Sequence, residues 1–133
     1  MPSHEIADAL AECLIAHDWE AAHDLMAPWQ AGRWTPAVLE ETWNSASNGD
    51  AEPAEWHLEI SPLEHEDLAE AAGFGPPTEP FPPQLSKKRF REWVCIEFRP
   101  GEGADGSGFD CWVATAVAGG DTCVGYLEFA STK

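Results

Sequence analysis

The sequence predicts an α+β domain in which N-terminal helices pack on a curled antiparallel β-sheet. Apolar residues recur at helical spacing through residues 1–50 and alternate with a period of two through much of residues 87–133. A Gly119-Gly120 pair separates two of the alternating runs, as in a tight hairpin. Charge divides the chain near the same boundary. Residues 1–86 hold seventeen Asp and Glu against one base, Arg33, whereas residues 87–133 hold seven acids and six bases. With 133 residues, 44% of them hydrophobic, and seven Trp, the chain reads as one domain that buries about two thirds of its unfolded surface.

The helical part spans 1–50. Ser3 is placed to cap a first helix whose inward positions are Ile6, Leu10, Cys13, Leu14 and His17. Asp18 is placed to cap a second helix, from Trp19 to about Met26. Thr35-Pro36 supplies a capping hydroxyl followed by Pro at the first helical position, and Val38, Leu39, Thr42, Trp43 and Ala46 then form an apolar stripe. Residues 51–86 read as a short strand from Glu55 to Ile60, a helix opened by the capping box Ser61-Pro62-Leu63-Glu64 and running to about Ala72, and an insert with five Pro between Gly75 and Pro83. So many Pro exclude a central strand there; the insert is fitted to cover a sheet edge or a cavity mouth.

Residues 87–133 form a β-meander. From Lys88 to Phe98, Phe90, Val94, Ile96 and Phe98 alternate with Arg89, Arg91, Trp93, Cys95 and Glu97. Strands Phe109–Val117 and Thr122–Phe129 follow, and pairing Ala118 with Asp121 sets Ala116 against Cys123 and Trp112 against Leu127. That register places Trp112, Ala114, Cys123, Leu127 and Phe129 on one face, and Cys111, Val113, Val124 and Tyr126 on the other. Cys111 and Cys123 then face opposite ways and form no disulfide. Both faces are apolar. Helices cover one, and a second subunit, giving a homodimer through the sheet, is one candidate cover for the other.

Asp18-Trp19-Glu20-Ala21-Ala22 opening the second helix, Trp34-Thr35-Pro36-Ala37-Val38-Leu39 opening the third, and the final Val124-Gly125-Tyr126-Leu127-Glu128-Phe129 together resemble the NTF2-like (cystatin-like cone) superfamily. The insert from Ser61 to Gln84 departs from that pattern. The resemblance implies helices on a curled sheet and, for the enzymes of the superfamily, an acid–base residue inside the cone, to which His57, Asp110 and Tyr126 would correspond. The superfamily also hosts ligand binders, protein-binding modules and bacterial toxin-immunity proteins, so membership leaves function open.

The residues themselves favour binding over catalysis. A net charge of −17 repels nucleic acid and anionic lipid and attracts a basic partner. The acid-rich region of Asp50, Glu52, Glu55, Glu64, Glu66, Asp67 and Glu70 is the candidate partner-binding surface. A bacterial immunity protein, neutralising a toxin domain in the cytoplasm, is the sharpest form of this expectation. The alternative is a small-molecule-binding or lyase/isomerase-type cone with a pocket at His57, Asp110 and Tyr126. No metal or cofactor is expected. His17 and His23 are six apart and do not stack on one helix face, and Gly101 to Gly106 matches a dinucleotide-loop pattern but carries two acids and joins strands. Cys95 would need an electropositive, exposed setting to act as a nucleophile. Arg89, Arg91 and Arg99 are expected to pair with carboxylates within the fold or across an interface. No segment reads as a secretory signal or a membrane span.

Overall fold

Local hydrogen bonding explains where each helix starts and stops. The computed structural model describes residues 4–46, 53–74, 77–100 and 108–129, so Ser3 lies outside the described residues. Helix α1 (His4–Ile15) buries Ile6, Ala7, Leu10, Ala11 and Leu14. It closes when the Asp18 N–H donates to the Cys13 carbonyl at 2.9 Å and the His17 N–H to that of Leu14 at 3.1 Å. His17 occupies the left-handed position of this closure, at φ 59°, where Gly is commoner. It therefore leaves the inward stripe expected for it and stacks its exposed ring on Trp19 at 5.2 Å.

Asp18 then caps α2 (Trp19–Asp24), accepting from the Ala21 N–H at 3.2 Å. This helix stops short of Met26 because Leu25–Ala27 peel away to pair with a strand. A one-turn helix, α3 (Pro28–Ala31), follows with Pro at its first position. Thr35 caps α4 (Pro36–Ala46), its hydroxyl accepting from the Val38 N–H at 3.3 Å. Leu39, Trp43 and Ala46 are buried, while Val38 is exposed, so the stripe is narrower than its spacing implied.

Four strands, β1 (Pro53–Ser61), β2 (Phe90–Pro100), β3 (Phe109–Ala118) and β4 (Asp121–Phe129), form an antiparallel sheet in the order β1-β2-β3-β4. Gly119 and Gly120, at φ 60° and 86°, make the β3–β4 turn, and Ala118 pairs with Asp121 and Ala116 with Cys123 as expected. Beyond Thr115 the register slips by one residue at Gly125. Trp112 therefore pairs with Glu128, not Leu127. Leu127 and Phe129 turn to the face of Cys111 and Val113, and Tyr126 joins Trp112, Ala114 and Cys123. A second bulge, at Arg91, turns Phe90 away from Val94, Ile96 and Phe98. Fully buried Thr115 sits between the two irregularities, accepting from the Glu92 N–H at 3.0 Å and donating to the Glu92 carbonyl at 3.4 Å. All four cysteines are free.

One sheet face meets the helices. Trp43 stands edge-on to Phe98 at 4.9 Å and to Phe109 at 5.2 Å, among Leu10, Leu14, Leu39 and Ile96. The Trp56 indole donates to Asp8 at 2.8 Å and ties β1 to α1. The outer edge of β4 is taken by the α2–α3 link: Val124 N–H donates to Leu25 O at 2.8 Å and Ala27 N–H to Val124 O at 2.9 Å.

The other face is covered in part by the chain's own insert. Helix α5 (His65–Ala71) begins later than its capping-box signal implied, because β1 continues through Ser61. The Ser61 hydroxyl accepts from Leu63 N–H at 3.2 Å, and Asp67 accepts from Glu64 N–H at 3.0 Å. Leu68 of α5 and Leu85 then pack with Phe90, Trp93, Ala114, Ala116 and Tyr126. Phe81, from the Pro-rich strap at 77–86, lies 5.2 Å from the Tyr126 ring and 6.0 Å from Trp93.

Gly125 makes this closure possible. A Cβ there would stand 2.9 Å from the Cβ of Ala116 and 3.0 Å from Cδ1 of Leu85. Gly125→Ala should therefore destabilise the fold by about 1–3 kcal/mol through overpacking, and Leu85→Ala by about 2–4 kcal/mol through the cavity it leaves. Urea denaturation should show the double variant less destabilised than the two singles combined, because Leu85→Ala removes one of the two close contacts of the new methyl. Strict additivity would mean that the strap does not bear on the bulge.

Candidate functional site

Strand pairing arranges the second face of the sheet in rows. Glu55 lies opposite Arg99; His57, Glu97 and Asp110 share the next row; Glu59, Cys95, Trp112 and Glu128 share the one after. The strap covers the rows beyond, around Phe90, Ala114 and Tyr126. Where its cover stops, an open groove of about 390 Å³ remains. Trp93, Cys95 and Trp112 form its floor, and Glu59, Glu97 and Asp110 bring carboxylates to it from three different strands. Ser61 and Pro62 form one wall.

One guanidinium stands in this field. Arg99 donates to its neighbour's carbonyl, Phe98 O, at 2.8 Å, and reaches Asp110 at 3.4 Å and Glu97 at 3.5 Å. The last two distances are at the limit of a useful contact, and the side chains are only half-buried, so the pairs contribute little to stability. Glu59 is exposed and has no cationic partner among the described residues. The Cys95 thiol registers the result: burial first, then Asp110, Glu97 and Glu59, push it to about 12, with Arg99 acting the other way. Cys95 is thus a protonated thiol in an electronegative setting, the reverse of what a nucleophile needs.

The predicted acidic residues have different fates. Asp50 and Glu52 lie outside the described residues. Glu55 is exposed on the same sheet face as the groove. Glu66 pairs with Lys87 at 2.9 Å and Asp67 is occupied at the start of α5. Glu64 and Glu70 are exposed, and Glu64 borders a second hollow of about 430 Å³. Ser61 and Pro62 line both hollows, so the acids of α5 and the groove adjoin. Glu59 and Glu97 were not singled out from sequence. Their outward alternation with His57 and Cys95 was the available signal, and only the register brings them together.

His57, Asp110 and Tyr126 share this face without forming one site. His57 is exposed on β1, separated from Asp110 by Glu97 and so by two strand spacings, about 10 Å. Tyr126 lies two rows from His57, beneath the strap. Its hydroxyl donates to Glu128 at 2.5 Å, and the same carboxylate oxygen accepts from Thr78 N–H at 2.8 Å and the Thr78 hydroxyl at 3.1 Å. No protein-family model, curated protein or solved structure matches this chain.

The arginines are engaged locally, and of the three expected to pair with carboxylates only Arg99 does so among the described residues. Arg89 stands over Trp29 at 5.6 Å and donates to Gln84 O at 3.1 Å; Arg91 donates to the carbonyls of Lys88 and Phe90. Arg33 pairs with Glu79 of the strap at 2.6 Å. Among the described residues no three His, Cys, Asp or Glu side chains are grouped to hold a metal ion, and no helix is long and apolar enough to cross a membrane.

Tyr126 is the single tyrosine of the chain, so tyrosinate absorbance reads it alone. Burial, then the hydrogen bond and charge of Glu128, hold its hydroxyl above the ordinary tyrosine range. Its stabilising effect is complete below about pH 10 and lost as pH rises through the folded-state value. The absorbance rise should come late and coincide with alkaline unfolding, and Glu128→Gln, which keeps an acceptor but removes the charge, should move it to lower pH. Titration in the ordinary range while the fold persists would show a solvent-exposed hydroxyl.

Proposed function

We propose that this chain is a non-catalytic binding protein that captures a basic protein partner on the face formed by the open part of the sheet and the adjoining acids of α5. The observation that carries the reading is the groove itself, in which carboxylates of Glu59, Glu97 and Asp110 surround an apolar floor and meet a single guanidinium. Long-range negative charge accelerates encounter with a cationic surface, but charge alone anchors little. Half-buried Trp112 and exposed Leu63 supply apolar contact area beside that charge. An immunity protein seated on the cationic cleft of a toxin domain is the sharpest form of the proposal, and is among the roles that the NTF2-like resemblance admits. The acid–base alternative has less support, because His57, Asp110 and Tyr126 stand in separate surroundings and the Tyr126 hydroxyl is engaged by Glu128.

The test is affinity capture from the native host at low salt, followed by association kinetics with the purified partner. The captured protein should be basic. Its association rate should fall by about ten-fold or more as salt is raised through the physiological range, and by a similar factor in Glu55→Lys/Glu59→Lys. Both substitutions fall on exposed positions of the edge strand, so the fold should persist. A neutral partner, or an association rate indifferent to salt, would overturn the proposal.

A further inference from the structure

We infer that the groove on the second sheet face receives an arginine side chain of the partner, with its stem along Trp112 and its guanidinium in the field of Glu59, Glu97 and Asp110. This rests on the basic-partner reading and assigns that partner's contact residue. The groove is where the chain's own cover ends: the strap seals the sheet around Phe81 and Tyr126 and leaves the Cys95–Trp112 row open.

Three features choose the occupant. First, the carboxylates come from β1, β2 and β3 and so reach the floor from different sides, and a planar guanidinium presents fixed donors in several directions at once where an ammonium is a compact point charge. Second, the floor is indole and thiol, and guanidinium, less strongly hydrated than ammonium, stacks on aromatic faces. Third, the chain already places a guanidinium on this face: Arg99 touches Glu97 and Asp110, though only at 3.5 and 3.4 Å, and leaves Glu59 without a cation among the described residues. A second copy of the chain is a poor occupant. It carries the same net charge of −17, and its Arg33, Lys87, Arg89 and Arg91 are already engaged by its own groups.

The experiment titrates the full isotope-labelled chain at low salt with a blocked pentapeptide, Arg flanked by Gly, and with its Lys counterpart. The Arg peptide should give saturable shifts of the Trp112 indole and of the Glu59, Cys95 and Asp110 amides. The Lys peptide should bind about three-fold or more weakly. Glu59→Gln/Asp110→Asn should weaken the Arg peptide about five-fold or more, whereas Glu40→Gln/Glu41→Gln, on the exposed side of α4, leaves it unchanged. Equal binding of both peptides, shifts confined to α5, or no saturable shift would each overturn the assignment. Sedimentation of the chain alone supplies the remaining control, since a dimer whose interface includes Trp112 would also overturn it. The captured native partner separates the two levels of inference. If it still binds the double variant with full affinity and salt sensitivity, the groove assignment fails and the basic-partner reading stands; if no basic protein is captured, the reading itself fails.

Discussion

A sheet with two apolar faces must be covered twice, and a single chain of this length has limited means to do it. The helices α1, α2 and α4 are committed to one side around Trp43. The second cover is therefore improvised from α5, Leu85 and a Pro-rich strap that contributes few side chains of its own. Pro suits the role, since a segment laid on a sheet face needs no ladder hydrogen bonds and loses less entropy on ordering than other residues would. The cover is also incomplete. The candidate site lies at its boundary, where the apolar surface of Trp112 meets carboxylates that no strap residue neutralises.

Two small anchors hold the strap in place. Gly125 lets Leu85 approach the sheet, and its carbonyl accepts the Trp29 indole N–H at 2.9 Å, so the bulge is also fastened to α3. Glu128 gathers Tyr126 and Thr78 on one oxygen, converting a charge next to a buried ring into a point of attachment. The acid is tolerated there because charge-assisted hydrogen bonds compensate for its partial desolvation. Acidic residues in this protein thus fall into two kinds. Glu128, Asp67 and Asp18 are consumed in building the fold, whereas Glu59, Glu97 and Asp110 face a field that one arginine only partly offsets.

Much of the architecture was legible in the sequence because it depends on short-range chemistry. Asp18 and Thr35-Pro36 announce their helices through backbone donors three residues away, and Gly119-Gly120 specifies a turn through backbone torsions alone. The bulges were not legible. With Cys111, Val113, Ala114, Ala116, Cys123 and Val124 all apolar, alternation cannot say which residue faces which side, so a slip at Gly125 carries no penalty visible in the pattern. The candidate site inherits that difficulty. Glu59, Glu97 and Asp110 are far apart in sequence, and only the pairing of three strands makes them neighbours. The start of α5 misled for a different reason: Ser61-Pro62-Leu63-Glu64 has the form of a capping box, but strand pairing with Trp93 claims Ser61 first.

The two outer strands of the sheet also bear on how copies of this protein coexist at high concentration. The β4 edge is bridged at Val124 by two hydrogen bonds to Leu25–Ala27. At the β1 edge, Glu55, His57 and Glu59 point to one face, so antiparallel pairing of two β1 strands about His57 would set each Glu55 against a Glu59. Like charges placed directly opposite one another in a ladder oppose its growth. The acids that would draw a basic partner therefore also guard the open edge against sheet-to-sheet polymerisation, and solubility and recognition draw on the same side chains.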